Sequence, residues 1–144
     1  SDDPAIKILK NYTDLPKVEC YPAELNQVFM NILINAIEAL NKSDFYKTQI
    51  EAVISISTQL LNSNTVTISI RDNAQGITPD IKQKIFDPFF TTKPIGKGIG
   101  LGLSISYQIV EKHNGKIECF STPGIGTEFL IQLPLQQKTR VGVY

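Results

Sequence analysis

The chain has 144 residues, 42% of them apolar and 19% charged, with fourteen basic residues balanced by fourteen acidic ones. That length suits one domain with its own core, and the zero net charge gives no electrostatic footprint for nucleic acid or for direct membrane contact. A single histidine, and two cysteines (Cys20 and Cys119) without C-x-x-C spacing, argue against a metal cluster and for buried thiols of a cytoplasmic protein. No apolar run approaches the roughly 18 residues of a membrane helix. The start, SDDPAIKILK, enters strand-like sequence almost at once, as in a piece cut from something longer whose parent could still be membrane-anchored.

In chain order, Ile6 to Asn11 reads as a short strand closed by a turn at Leu15-Pro16. Pro22-Ala23-Glu24 opens a long helix, with Leu25, Val28, Phe29, Ile32, Leu33, Ala36, Ile37 and Leu40 on one apolar face, ending near Asn41. Residues 42–50 are expected to form a loop. Ala52, Ile54 and Ile56, then Val66, Ile68 and Ile70, alternate with polar neighbours and predict a hairpin joined by LLNSN. A short helix is expected over Ile77 to Ile85, with Thr78 as N-cap and Pro79 at its first position. An irregular stretch runs to about Gly100, followed by a helix that Asn114-Gly115 ends after His113. Lys116 to Phe120 and Thr127 to Leu133 close the chain as a hairpin around Pro123-Gly124, and the polar tail 135–144 is expected to fray. The pattern predicts one α+β domain over residues 1–134. Its form would be a two-layer sandwich, a mixed and mostly antiparallel sheet of about five strands under about three helices.

Four of the nine glycines fall at alternate positions from Gly96 to Gly102 and run straight into the helix that continues through Leu103 and Ile105. A helix N-terminus offers unpaired N–H groups and a positive dipole end, so a phosphate-binding loop is the sharp reading. Neither a P-loop nor a dinucleotide fingerprint fits. Thr91 stands where the P-loop needs its first glycine, Gly98 where it needs a hydroxyl, and Leu103 where the fingerprint needs its third glycine.

Three further anomalies stand out. Asn31 and Asn35, one turn apart with Glu38 beyond them, form a stripe roughly opposite the apolar face. A solvated face is the plain alternative, yet asparagine costs about half a kcal/mol against alanine in a helix, and stacked amide oxygens suit Mg2+. Asp72 continues the inward series Val66, Ile68, Ile70 and is either a turn initiator or a fixed acceptor for the amine of adenine. In FDPFFTTK, Phe86, Phe89 and Phe90 read as core or as anchors of a movable lid that carries Thr92, Lys93 and Lys97 toward phosphate.

Taken in order, these pieces resemble the catalytic ATP-binding domain of sensor histidine kinases, the Bergerat fold shared with DNA gyrase, Hsp90 and MutL. NILINA around Asn31 and Asn35 is similar to the N box, DNAQGI from Asp72 to the first glycine box and FDPFFTTK to the F box. GIGLGL from Gly98 is similar to the second glycine box, and GIGTEF from Gly124 to the closing motif. The resemblance implies that Asn31 and Asn35 hold Mg2+ and phosphate, that Asp72 binds the adenine amine with Gly76 giving the backbone room and Thr127 near the base, and that Ile77, Phe86, Thr92 and Leu103 also belong to the nucleotide site. It further implies that Lys93, Lys97 and the backbone of Gly98, Gly100, Leu101 and Gly102 embrace the triphosphate, with Lys93 serving transfer alongside the two asparagines.

The implied cofactors are ATP and Mg2+. The implied partners are a helical dimerization domain bearing the phosphoacceptor histidine, and a response regulator downstream, the isolated domain being a monomer. His113, next to Asn-Gly, reads as a helix-end residue rather than the acceptor. Three departures stand out: Ala74 replaces the middle glycine of D-x-G-x-G, Glu38 stands where lysine is common, and Ile99 where threonine is common. Hydrolase relatives and serine-phosphorylating relatives place glutamate at the position of Asn31, and an amide cannot act as a general base. A nucleotide-sensing module without transfer activity is the alternative from another class.

Overall fold

The computed structural model describes residues 5–42, 50–88, 90 and 102–137. Five strands, β1 (Ile6–Asn11), β2 (Ala52–Asn62), β3 (Thr65–Asp72), β4 (Lys116–Thr122) and β5 (Gly126–Pro134), form one sheet in the order β1-β2-β3-β5-β4. Only β1 pairs in parallel, with β2; every other pair is antiparallel. Among the described residues three helices accompany the sheet: α1 (Pro22–Asn41), α2 (Pro79–Lys82) and α3 (Gly102–Lys112). This is the α+β sandwich that the alternation of strand and helix patterns predicts.

Period 2 in the strands and period 3.6 in α1 build the core between them. Val66, Ile70, Phe129, Ile131 and Leu133 point to the helix side from β3 and β5, and Leu25, Val28, Ile32, Ala36 and Leu40 meet them from α1. Val28, Ile32, Leu40, Ile54 and Ile131 are no more than 1% exposed, and each such side chain contributes about 1.5 to 3 kcal/mol by leaving water. Ile37, expected on this face, lies instead on the outer side of α1 with Met30 and Ile34, all three exposed. The asparagine stripe therefore runs along the flank of the helix that faces α3, not opposite the core.

Other boundaries also shift. The β2–β3 hairpin turns on Ser63-Asn64 alone, because Asn62 Oδ1 accepts the Asn64 N–H at 2.8 Å, so Leu60, Leu61 and Asn62 belong to β2. Helix α2 is one turn rather than nine residues, and Thr78 flanks it without a side-chain cap. Helix α3 ends as the Asn-Gly pair predicts. Asn114 takes a positive φ of 59°, and the N–H groups of Asn114 and Gly115 return to the carbonyls of Glu111 and Val110, both at 2.9 Å. Beyond Pro134 the chain stays bound through Gln137: Leu135 donates its N–H to Asn64 and accepts from Glu19, both at 2.8 Å.

Candidate functional site

Asp72 ends β3, in register with Ile54 on one side and Thr127 on the other. Its side chain is buried, and Oδ1 accepts the Ala74 N–H at 3.0 Å. Burial pushes its carboxyl above the usual carboxylate range, opposed by the backbone N–H groups of Ala74 and Thr127.

The turn after Asp72 explains its own sequence. Asn73 accepts the Val53 N–H at 2.8 Å and donates to the Glu51 carbonyl at 2.8 Å, so it ties the turn to the start of β2. Ala74 needs no glycine: among the described non-glycine residues only Asn114 has a positive φ, and the Ala74 methyl is buried in the core. Gly76, at φ 74°, lies so close to the Thr122 carbonyl that a Cβ would collide with it. In this structure Gly76 makes room for β4.

Around Asp72 a hydroxyl network fixes the floor. Ser121 Oγ accepts the Ile77 N–H at 2.8 Å and donates to the Gly126 carbonyl at 3.0 Å, which leaves the Thr127 hydroxyl to donate to Ser121 at 3.0 Å. Ile77 and Thr127, distant in sequence, are thus tied through one serine. Phe86 forms a wall, its ring 6.2 Å from that of Phe129 on β5 and 5.4 Å from that of Tyr107 on α3. Phe90, like Phe86, packs against the core; Phe89 lies outside the described residues.

On the α3 side, Asn31 Nδ2 donates to the Gly102 carbonyl at 3.0 Å and to Ser106 Oγ at 3.2 Å. Asn35 Nδ2 donates to the Asn31 carbonyl at 3.0 Å. Both hydrogens of the Asn31 amide nitrogen, and one of the two on Asn35, are thereby given to the protein. Among the described residues no cluster of three or more His, Cys, Asp or Glu could hold a metal. Gly102 opens α3 beside Asn31, and Leu103 is partly buried against the core. Thr92, Lys93, Lys97, Gly98, Gly100 and Leu101 lie outside the described residues.

Sequence reasoning missed Ser106, Ser121 and the role of His113. Serine carries no periodic signal, and only tertiary contact shows what each hydroxyl holds. His113, read as a helix-end residue, is buried at 1% exposure and bonded on both ring nitrogens, so it joins segments rather than completing a dipole.

The order of these parts, amide pair on the first long helix, buried aspartate at a strand end, glycine turn and a second helix N-terminus, is matched by a family model over residues 20–137. Its description is "Histidine kinase-, DNA gyrase B-, and HSP90-like ATPase". The chain belongs to this ATPase family. The domain is 40% identical over 124 residues to sporulation kinase E of Bacillus subtilis, covering 86% of this chain and 15% of that protein. It is 42% identical over 111 residues to the signal transduction histidine-protein kinase AtoS of Escherichia coli, covering 77% of this chain and 17% of that protein. The chain thus spans under a fifth of either relative's length. Among solved structures the ATPase domain is similar to the nucleotide-free catalytic domain of histidine kinase ThkA, with a TM-score of 0.74 at 31% identity over 90% of this chain and 80% of that one. The mycobacterial sensor histidine kinase MprB gives a TM-score of 0.74 at 26% identity, over 92% and 83% of the two chains. Among the described residues no helix is long and apolar enough to cross a membrane.

Proposed function

We propose that this domain is the ATP-binding catalytic part of a sensor histidine kinase, holding Mg-ATP and presenting its γ-phosphate to a histidine on a separate helical dimerization domain. The observation that carries the reading is the pair of committed amides. Asn31 and Asn35 use their nitrogens on the protein and keep oxygens for a cation, and Asn31 brings no carboxylate to activate water. A site of this kind positions and neutralises phosphate; the nucleophile must come from another part of the protein.

Asp72 would accept the adenine amine, above the floor formed by Ile77, Ser121 and Thr127 and beside the wall of Phe86. Asn31 and Asn35 would hold Mg2+ together with the phosphates, and the metal would supply neutralisation of their charge. The N-terminus of α3 at Gly102 lies beside Asn31 and favours the same anion. Gly76 shapes the turn beneath the base. Lys93 and Lys97, with Thr92, Gly98, Gly100, Leu101 and Leu103, would close over the triphosphate. In this reading residues 1–134 form the catalytic domain, extended by the bound residues Leu135 to Gln137, and the rest of the tail stands outside it. A response regulator downstream, a cytoplasmic location and a monomeric isolated domain complete the proposal.

The test supplies ATP labelled on its γ-phosphate to the isolated domain and to the domain mixed with the parent's helical dimerization domain. Transfer to the helical domain alone, with slow release of free phosphate, is expected. Fast phosphate release by the isolated domain would favour a hydrolase, and no transfer to a verified helical partner would favour a nucleotide sensor.

A further inference from the structure

We propose that Ser106 is a positioning residue for the cation site, setting which end of the Asn31 amide faces the nucleotide. The inference rests on the reading that Asn31 is a metal ligand. An asparagine amide is a nearly symmetric fork, and a half-turn about its last bond exchanges an acceptor for a two-hydrogen donor. Only the oxygen can bind a cation. Something on the protein side must therefore tell the two ends apart.

Two groups on α3 do so. Asn31 Nδ2 has two hydrogens, one directed to the Gly102 carbonyl at 3.0 Å and one to Ser106 Oγ at 3.2 Å. Ser106 Oγ in turn gives its own hydrogen to the same Gly102 carbonyl at 2.9 Å. Its hydrogen is spent, so Ser106 shows Asn31 only lone pairs. A flipped amide would set its oxygen against the Gly102 carbonyl oxygen and against those lone pairs at once, acceptor to acceptor. Ser106 is fully buried at 0% exposure, so water is not at hand to relieve that contact. Gly102 also leaves room beside the amide: a Cβ built there would be in ordinary contact, 3.7 Å from Asn31 Cγ.

The arrangement does more than satisfy a buried hydroxyl. A serine inside a helix can meet its own need by bonding the carbonyl four residues back, and Ser106 does this with Gly102. That bond leaves the oxygen a pure acceptor, which is what selects the amide nitrogen. It also ties the amide to the first residue of α3, so the start of that helix and the metal-facing oxygen move as one unit.

Calorimetric titration of the domain with ATP, in Mg2+ and in EDTA, separates this role from plain packing. Outer-shell partners of metal ligands are worth about ten- to a hundredfold in metal affinity, so Ser106→Ala is expected to lose about tenfold of the gain in ATP affinity that Mg2+ gives. Its affinity in EDTA should match that of the unaltered domain. In an Asn31→Ala background the same serine substitution should change nothing further, because the amide it orients is gone. Ser106→Cys, similar in size but a weak acceptor, should fall between and covers the case in which the alanine variant does not fold. An undiminished Mg2+ gain in a folded Ser106→Ala or Ser106→Cys domain overturns the inference. So does an equal loss with and without Mg2+, or a full loss in the Asn31→Ala background. If the unaltered domain binds ATP with no Mg2+ gain, the metal reading itself fails, and this inference with it.

Discussion

The imidazole Nε2 of His113 accepts the backbone N–H of Tyr21 at 3.0 Å, while Nδ1 faces the Ile109 carbonyl at 2.8 Å. A ring that accepts at one nitrogen and donates at the other is neutral, with its hydrogen on Nδ1. The His113 carbonyl also receives the side-chain amide of Gln137 at 2.7 Å, and Gln137 gives its backbone N–H to Glu19 at 2.7 Å. One residue thus joins the entry to α1, the end of α3 and the chain after β5.

Replacing His113 by alanine removes both ring hydrogen bonds and opens a cavity in a site with 1% exposure. Urea denaturation is expected to show a loss of about 2 to 4 kcal/mol with an unchanged m-value. A loss under about 0.5 kcal/mol, the range of ordinary surface changes, would remove His113 from this role.

The buried carboxylate of Asp72 opposes stability. Its carboxyl is pushed up by burial, so the charged form is disfavoured in the folded state. For a group whose folded pKa is raised, the stabilising contribution is present below the unfolded pKa and is lost as pH rises through the folded one. At neutral pH the nucleotide-free Asp72→Asn domain should therefore melt above the unaltered domain, with an advantage that shrinks as acid protonates Asp72. A lower melting temperature at pH 7 would contradict this sign.

The thiol of Cys119 is pushed up to about 11, first by burial and next through Lys82 and Asp72, which act in opposite directions. Since the thiolate is the reactive form, iodoacetamide at pH 8 should leave Cys119 intact in the folded domain and modify it only after denaturation. Cys20, partly exposed, should be alkylated first. Mass spectrometry of the alkylated peptides reads both, and fast labelling of native Cys119 would contradict its placement.

Two glycines of the β4–β5 turn separate space from conformation. Both have positive φ, 84° at Gly124 and 151° at Gly126, but a Cβ at Gly124 meets nothing while one at Gly126 runs into the Asp72 carbonyl. Gly124→Ala should cost about 1 kcal/mol from backbone strain alone. Gly126→Ala should cost more and displace Asp72, weakening ATP binding as well. Equal effects on melting and on ATP affinity would show that the close approach has no consequence.

How much of this was legible in the sequence follows from the range of each interaction. Apolar period sets the α1 core and the inward side of β3, so the sandwich and the buried place of Asp72 could be read directly, while the flank that the asparagine pair takes could not. Ile37 could not be placed, because it falls at the edge of the apolar arc, where packing against α3 decides which side is outer. Ser63-Asn64 was lost in a longer loop because Leu60 and Leu61 continue β2 through an irregularity that no alternation marks. Ser106 and Ser121 act only where two elements meet, and His113 resembles any helix-end histidine until Tyr21 is brought to it from the far end of α1.

The recognition claim is tested most directly by calorimetric titration of the domain with ATP and with GTP in Mg2+. Asp72 offers an acceptor where adenine presents a donor and guanine a carbonyl. An unpaired buried polar group costs about 1 to 3 kcal/mol, so ATP should bind at least about tenfold more tightly than GTP. In the folded Asp72→Asn domain ATP affinity should fall by about the same factor, narrowing the gap. Equal affinity for the two nucleotides, or ATP affinity unchanged by the substitution, would contradict an adenine site built on Asp72.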